Sequence, residues 1–81
     1  MPTLTIYSRP GCHLCDDMKS LVESVARTTT PRPTIEVVDI SSEADLEARY
    51  GVEIPVLMVN GRKVAKYRVS ERELRRILEA R

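Results

Sequence analysis

The residues of this chain best suited to redox or metal chemistry are its two cysteines, Cys12 and Cys15, in the stretch RPGCHLCDDM. His13 and Leu14 lie between them. Two cysteines at this spacing have three uses in proteins: a structural disulfide, half of a four-ligand metal site, or a dithiol that exchanges electrons with substrates. The rest of the sequence has to distinguish these uses.

The composition predicts one globular domain over residues 1–81, with 42% apolar and 31% charged residues. The chain has no Trp and no Phe, so its core must be built from aliphatic side chains. The formal net charge is +1, which gives no support to a nucleic-acid or membrane-surface partner. We expect a monomer that binds neither.

The compartment bears on how the cysteines are used. No apolar segment approaches the roughly 20 residues that span a bilayer, and the first residues lack the basic and apolar regions of a secretory signal. These features favour a cytoplasmic location, where disulfides are rarely structural. A bridge between residues three apart also closes too short a loop to add much stability. The structural disulfide is therefore the least favoured use.

The first half of the chain predicts a β-α-β unit. Leu4 and Ile6 alternate with polar neighbours, as in a strand. A helix follows, because apolar residues recur at helical spacing from Leu14 to Val25. The helix should end in the proline-broken segment 28–33, and residues 34–40 form a second strand. A single crossover helix makes the two strands parallel.

The second half predicts a short helix, a hairpin and a last helix. Ser41 and Ser42 are candidate N-caps for a helix over residues 43–50, with Gly51 as its C-cap. Asn60-Gly61 between two extended runs, residues 56–59 and 62–67, is typical of a type I′ hairpin. Ser70 caps the last helix. The order is β-α-β-α-β-β-α, an α/β fold.

This map places Cys12 at the N-terminus of the first helix and Cys15 one turn later. Unpaired backbone N–H groups and the helix dipole stabilise a thiolate at that end of a helix. Cys12 is therefore the expected nucleophile and Cys15 the more covered resolving thiol. Arg9 and a protonated His13 are candidate tuning residues that would favour the thiolate. Asp16 and Asp17 are either only first-turn charges that suit the helix dipole or charges that oppose the thiolate.

The quoted motifs together resemble the thioredoxin-fold superfamily, and within it the small glutaredoxin-like proteins. The similarity covers essentially the whole chain, and CHLCD at residues 12–16 resembles an uncharacterised glutaredoxin-like family. It implies a four-stranded mixed sheet of order 2-1-3-4 flanked by helices. It also implies that Pro55 is cis beside the dithiol, and that Ile54 offers its backbone to an extended substrate.

Two departures from typical glutaredoxins concern substrate binding. His13-Leu14 replaces the Pro-Tyr found between the thiols of those proteins. Tyr67 and Arg68 occupy the place of a Gly-Gly pair that lets glutathione approach. We therefore count Ile54, Pro55, Tyr67 and Arg68 as candidate substrate-binding residues, and glutathione as a candidate co-substrate.

The favoured function is thiol-disulfide oxidoreductase, working through a mixed disulfide on Cys12 and needing no bound organic cofactor and no metal. The expected partners are a disulfide-containing protein or a small thiol, with electrons from glutathione or a flavin-dependent reductase. Two alternatives stay open. One is a metal or iron-sulfur binding dimer that uses Cys12 and Cys15 as ligands, and the other is a redox-inactive binding module on the same fold.

Overall fold

A computed structural model describes residues 2–79 of the chain. Its elements follow the predicted order β-α-β-α-β-β-α, with a 3₁₀ turn at Ile40–Ser42 before the second helix. The strands are β1 Thr3–Ser8, β2 Thr34–Asp39, β3 Val56–Val59 and β4 Arg62–Lys66. The helices are α1 His13–Arg27, α2 Ala44–Tyr50 and α3 Glu71–Glu79.

The four strands form one mixed sheet in the order β2-β1-β3-β4. β1 pairs parallel with β2 and antiparallel with β3, which forms a hairpin with β4. The predicted α/β fold and the order implied by the family resemblance are both confirmed. In this arrangement β1 is central and is paired along both edges. The loop that carries Cys12 leaves the C-terminal end of this strand.

One face of the sheet packs against α1 and α3. Period-two alternation places Leu4 and Ile6 of β1 on this face, and both are fully buried. The core is aliphatic apart from one methionine, as the composition requires. Its buried members are Leu4, Ile6, Met18, Val22, Val25, Leu57, Val59 and Leu74. The stripe predicted on the first helix is therefore the face that this core buries.

The opposite face of β1 meets α2. Tyr7 alternates with Leu4 and Ile6, and its ring stacks on Tyr50 at the end of α2, with centroids 4.7 Å apart. Aromatic stacking of this kind stabilises by about 0.5–1.5 kcal/mol beyond the area it buries. The contact attaches a helix of only seven residues to the end of the sheet where the Cys12 loop begins.

The hairpin turn has the predicted geometry. Asn60 and Gly61 have φ values of 51° and 85°, as the two central residues of a type I′ turn require. The register shifts between Leu57 and Met58, so Val64 has no partner and forms a bulge. The second arm ends at Lys66, one residue earlier than predicted, because Tyr67 has a left-handed φ of 69° that does not continue a strand.

The predicted capping of α2 is wrong. Ser41 and Ser42 lie in the 3₁₀ turn, and Glu43 precedes α2 without a side-chain capping hydrogen bond. Asp39 caps the 3₁₀ turn instead, because its carboxylate accepts hydrogen bonds from both the N–H and the hydroxyl of Ser41. The segment after β2 therefore turns at Asp39, and α2 begins three residues after Ser41.

The other helix ends agree with the sequence. Ser70 Oγ accepts a hydrogen bond from Glu73 N–H at 3.0 Å, which is the predicted N-cap of α3. α1 ends at Arg27, and the hydroxyls of Thr28 and Thr29 both donate to the Val25 carbonyl.

Within residues 2–79, no helix combines the length and apolar character needed to cross a membrane.

Candidate redox site

The two cysteines occupy the junction between β1 and α1. Cys12 is the N-cap of α1, with an extended backbone at φ −92° and ψ 111°. Its Sγ accepts a hydrogen bond from Cys15 N–H at 3.1 Å. The two sulfur atoms are paired as a disulfide, and the Cα atoms lie 5.2 Å apart, inside the range that a disulfide needs. The spacing of three residues therefore permits both an oxidised pair and a capped helix end.

The two sulfurs differ in accessibility. Cys15 is on the buried side of α1 with 3% of its surface exposed, whereas Cys12 is only half-buried. Cys12 is therefore the more solvent-accessible of the two cysteines. Cys12 Sγ also accepts a hydrogen bond from a helix N-terminal amide, a position that favours the thiolate form of a reduced cysteine.

A tight turn brings Cys12 to the helix end. Cys12 N–H donates to the Arg9 carbonyl at 3.3 Å. Gly11 has a left-handed φ of +80°, which a side chain would strain even though the space around it is open. Pro10 and Gly11 are both exposed. The sequence RPG thus supplies the turn that ends β1 and starts α1.

The loop before β3 contacts the segment after β4. The Ile54–Pro55 peptide bond is cis, Pro55 is buried and Ile54 is half-buried. The Pro55 carbonyl accepts a hydrogen bond from Tyr67 N–H at 2.8 Å. The Tyr67 hydroxyl donates to the Val52 carbonyl at 3.0 Å. Tyr67 therefore lies across this loop and is held by it at both its backbone and its ring.

A groove of about 250 Å³ separates α1 from the segment after β4. Leu14, between the two cysteines in sequence, lies on its α1 wall, and Tyr67 and Arg68 form the opposite wall. The full lining is Leu14, Asp17, Met18, Leu21, Tyr67, Arg68 and Val69. Three sequence-predicted site residues are thus joined: Tyr67 and Arg68 through the groove, and Pro55 through its hydrogen bond to Tyr67.

Comparison with known proteins assigns this chain to a protein family. Residues 3–79 match the model of the glutaredoxin-like domain family DUF836. The chain belongs to this family. The glutaredoxin-like protein YDR286C homolog of Dictyostelium discoideum is 30% identical over 75 residues, a match that covers 88% of this chain and 69% of that protein. Family and cysteine pair together indicate a thiol redox function.

Solved structures share the fold of this glutaredoxin-like chain. The X-ray structure of the protein XcR50 from X. campestris is 34% identical, with a TM-score of 0.76 over 96% of this chain and 97% of that one. The solution structure of Ne2328 from Nitrosomonas europaea is 23% identical, with a TM-score of 0.77 over 94% and 89% of the two chains.

The structure of a thioredoxin also shares this fold. A single-site mutant of the thioredoxin from Halobacterium salinarum is 24% identical, with a TM-score of 0.67 over 98% of this chain and 73% of that chain. The last two similarities show the fold alone, which is the thioredoxin-like fold predicted from the sequence.

The two candidate tuning residues have different environments. His13 is the first residue of α1 and is exposed. Arg9 is half-buried, and its guanidinium donates to the carboxylate of Glu47 on α2. The charge of Arg9 is therefore paired with that of an acid 38 residues away in sequence. The sequence did not predict this ion pair, because no local pattern indicates a contact between such distant residues.

A second cleft has a volume of about 190 Å³. It reaches Cys15 and is bordered by Asp16, Lys19 and Asp39. Hydrogen bonds from the Ser41 hydroxyl and N–H lower the pKa of Asp39, and the nearby charge of Arg9 adds to the effect. Asp39 was another residue that the sequence analysis missed, although an Asp two residues before a Ser is a turn signal.

Only in the reduced state would Cys12 and Cys15 offer two thiolates as metal ligands. Across residues 2–79, no group of three or more His, Cys, Asp or Glu side chains is placed to hold a metal ion. A four-ligand site would need donors from a second molecule, as the sequence analysis noted.

Proposed function

We propose that this protein is a thiol-disulfide oxidoreductase in which Cys12 attacks and Cys15 resolves. The observation that carries the proposal is the hydrogen bond from Cys15 N–H to Cys12 Sγ at the start of α1. A sulfur that accepts from a helix N-terminal amide gains more from that contact as a thiolate than as a thiol. The thiolate is the nucleophile in disulfide exchange.

The reaction proceeds in two exchanges. The Cys12 thiolate attacks one sulfur of a substrate disulfide, forms a mixed disulfide, and releases the other substrate sulfur as a thiolate that takes up a proton. The Cys15 thiol then loses its proton and attacks Cys12 Sγ. The second substrate sulfur leaves, and the Cys12–Cys15 disulfide forms. Two electrons have passed from the protein to the substrate.

The substrate would bind beside the loop before β3. We assign Ile54, Pro55, Tyr67 and Arg68 to substrate contact, because Tyr67 ties that loop to the groove wall. Val52 is 87% exposed and Tyr67 43% exposed, so together they offer an apolar surface next to the groove. A disulfide-bonded segment of a protein fits this surface, and Arg68 at the rim would favour an acidic neighbour in that segment.

Regeneration would need an external donor. Two glutathione molecules, or a dithiol from a flavin-dependent reductase, would reduce the Cys12–Cys15 disulfide, and no bound organic cofactor takes part. We propose that the protein acts as a monomer in the cytoplasm, where such donors keep thiols reduced.

The test is to equilibrate the protein in graded mixtures of reduced and oxidised glutathione, quench by alkylation, and measure intact mass. One two-electron transition between dithiol and internal disulfide is expected. Cys15→Ser should accumulate a mixed disulfide with glutathione on Cys12, and Cys12→Ser should show much less adduct. A wild-type protein that stays doubly alkylated in every mixture would contradict the proposal.

A further inference from the structure

One ion pair joins the loop that carries Cys12 to α2. The Arg9 guanidinium donates to the Glu47 carboxylate, and the two side chains are 38% and 39% exposed. The Arg9 carbonyl accepts the Cys12 N–H at 3.3 Å. Arg9 is thus hydrogen-bonded to the Cys12 backbone N–H through its own carbonyl, and to Glu47 through its side chain.

Gly51 lies beside this pair. Gly51, just after α2, has a helical backbone that any residue could adopt, so its lack of a side chain matters for space. A Cβ at this position would press on the Glu47 carbonyl oxygen. It would also lie 2.7 Å from Glu47 Oε1 and 3.4 Å from Arg9 Nη2. A side chain at position 51 would therefore crowd the α2 backbone first and the ion pair second.

Other charges surround the dithiol on each neighbouring element. His13 and Asp16 lie in the first turn of α1, and Lys19 borders the cleft that reaches Cys15. Asp39 is the last residue of β2, and the charge of Arg9 contributes to lowering its pKa. Glu47 differs from these groups because it binds the Arg9 guanidinium directly.

We propose that Glu47 limits the thiolate population of Cys12 by neutralising Arg9. An opposite charge close to a thiolate favours its charged form, and a like charge disfavours it. With both members present, the two effects largely cancel. Without Glu47, the unopposed Arg9 would favour the thiolate, and the disulfide would become the stronger oxidant because its reduced form is stabilised.

The alternative role for this pair is a neutral brace that only holds the loop in place. The two roles predict different signs. In the electrostatic role, Glu47→Gln lowers the Cys12 pKa and Arg9→Gln raises it, because each variant leaves one charge unopposed. In the brace role, both variants lose the same contact and shift the pKa in the same direction.

The experiment titrates the Cys12 thiolate by its ultraviolet absorbance in a Cys15→Ser background, where Cys12 is the only cysteine. The variants are Glu47→Gln, Arg9→Gln, the double variant and Arg9→Lys. Glu71→Gln is the matched control, because it breaks a similar exposed ion pair with Arg75 on α3. Thermal unfolding of each variant verifies that it is folded.

For Glu47→Gln we expect the thiolate-to-thiol ratio to rise about threefold, and for Arg9→Gln to fall by a similar factor, because half-exposed charges interact weakly. The double variant, Arg9→Lys and Glu71→Gln should stay near the parent. The differences should shrink in high salt, which screens exposed charges. Shifts of the same sign in both single variants, or no shift, would overturn the inference.

The redox consequence rests on the proposed function. In proteins that keep both cysteines, Glu47→Gln should move the glutathione equilibrium toward the dithiol about threefold relative to wild type. A wild type that does not interconvert in glutathione contradicts the proposed function, while the thiolate titration still decides the role of Glu47. A redox-active wild type with unmoved titrations overturns the Glu47 inference alone.

Discussion

The backbone N–H of Cys15 donates a hydrogen bond to Sγ of Cys12 at 3.1 Å, so a cysteine sulfur caps α1. Ser, Thr, Asp and Asn are the residues that usually fill this position. A thiol is a weak acceptor, and a thiolate is a charged one placed at the positive end of the helix. The same contact therefore links helix stability to the ionisation of the Cys12 thiol.

This cap predicts that replacing Cys12 affects stability according to whether the new side chain can accept a hydrogen bond. Under reducing conditions, Cys12→Ala should lower the free energy of unfolding by about 1 kcal/mol relative to Cys12→Ser, because alanine leaves the N-terminal amide of α1 without its partner. Urea unfolding of both variants measures the difference. Ser70→Ala, which removes the matching cap of α3, should have a similar cost. Equal stability of the two Cys12 variants would contradict the capping role.

Short-range patterns predicted most of the fold. Leu4 and Ile6 revealed β1 by alternation, and Asn60-Gly61 identified the hairpin because a type I′ turn suits those residues. Ser70 was found by its position before an acidic helix start. Each of these signals lies within a few residues of the feature it predicts.

What the sequence did not reveal depends on contacts between distant segments or on competing local bonds. Arg9 contacts Glu47 because α2 packs on the sheet, where Tyr50 stacks on Tyr7. The serines after β2 were predicted to cap α2, but Asp39 binds Ser41 instead. The sequence identified the dithiol itself, and tertiary packing decides which charges surround it.

Asp39 gives a prediction for acid pH. Its hydrogen bonds with Ser41, and to a smaller degree the charge of Arg9, hold its pKa below the ordinary value of 3.8. A lowered pKa in the folded state contributes stability above that ordinary value, and the contribution is lost as the pH falls through the folded pKa. Ser41→Ala should therefore raise the pKa of Asp39 toward 3.8 and weaken the loss of stability below about pH 4.

The measurement is an NMR titration of the Asp39 side-chain carboxyl carbon. Ser42→Ala is the matched control, because the Ser42 hydroxyl donates to the Asp39 backbone carbonyl at 3.1 Å and not to the carboxylate. The control should leave the titration of Asp39 unchanged. An equal shift in the two variants would mean that the turn geometry, and not the bonds to the carboxylate, sets this pKa.

The sign of the stability change on replacing Gly51 with alanine tests whether this position has room for a side chain. An exposed Gly→Ala change in helical backbone usually stabilises a protein by about 0.4–1 kcal/mol. At Gly51 the new methyl group would press on the Glu47 carbonyl oxygen, which belongs to the backbone and cannot move freely. We therefore expect Gly51→Ala to destabilise the fold by about 1–3 kcal/mol, as overpacking does. Denaturant unfolding measures this change.

A double-mutant cycle with Glu47→Ala separates the two contacts at Gly51. Removing the Glu47 side chain relieves the contact with Oε1 but leaves the contact with the backbone oxygen. The cost of Gly51→Ala should therefore fall in the Glu47→Ala background without disappearing. A stabilising Gly51→Ala in the wild-type background would show that this segment has room for a side chain.

Tyr67 gives a prediction about glutathione. Its φ of 69° lies in a region that glycine adopts freely, and the resemblance to typical glutaredoxins implies that a Gly-Gly pair stands at this place in those proteins. The ring lies over the loop that contains Pro55, with its hydroxyl bonded to the Val52 carbonyl. Tyr67→Gly should therefore open the site and speed the exchange of Cys12 with glutathione disulfide about tenfold, the equivalent of roughly 1.4 kcal/mol.

Tyr67→Phe separates the ring from its hydroxyl. Phenylalanine keeps the bulk over the Pro55 loop and loses only the hydrogen bond to Val52, so exchange should stay near the wild-type rate if bulk limits access. The rate of mixed-disulfide formation in the Cys15→Ser background, followed by mass spectrometry, compares the variants directly. If Tyr67→Gly reacts no faster than wild type, the tyrosine does not restrict glutathione. If Tyr67→Phe is as fast as Tyr67→Gly, the hydroxyl bond, and not the ring, holds the site closed.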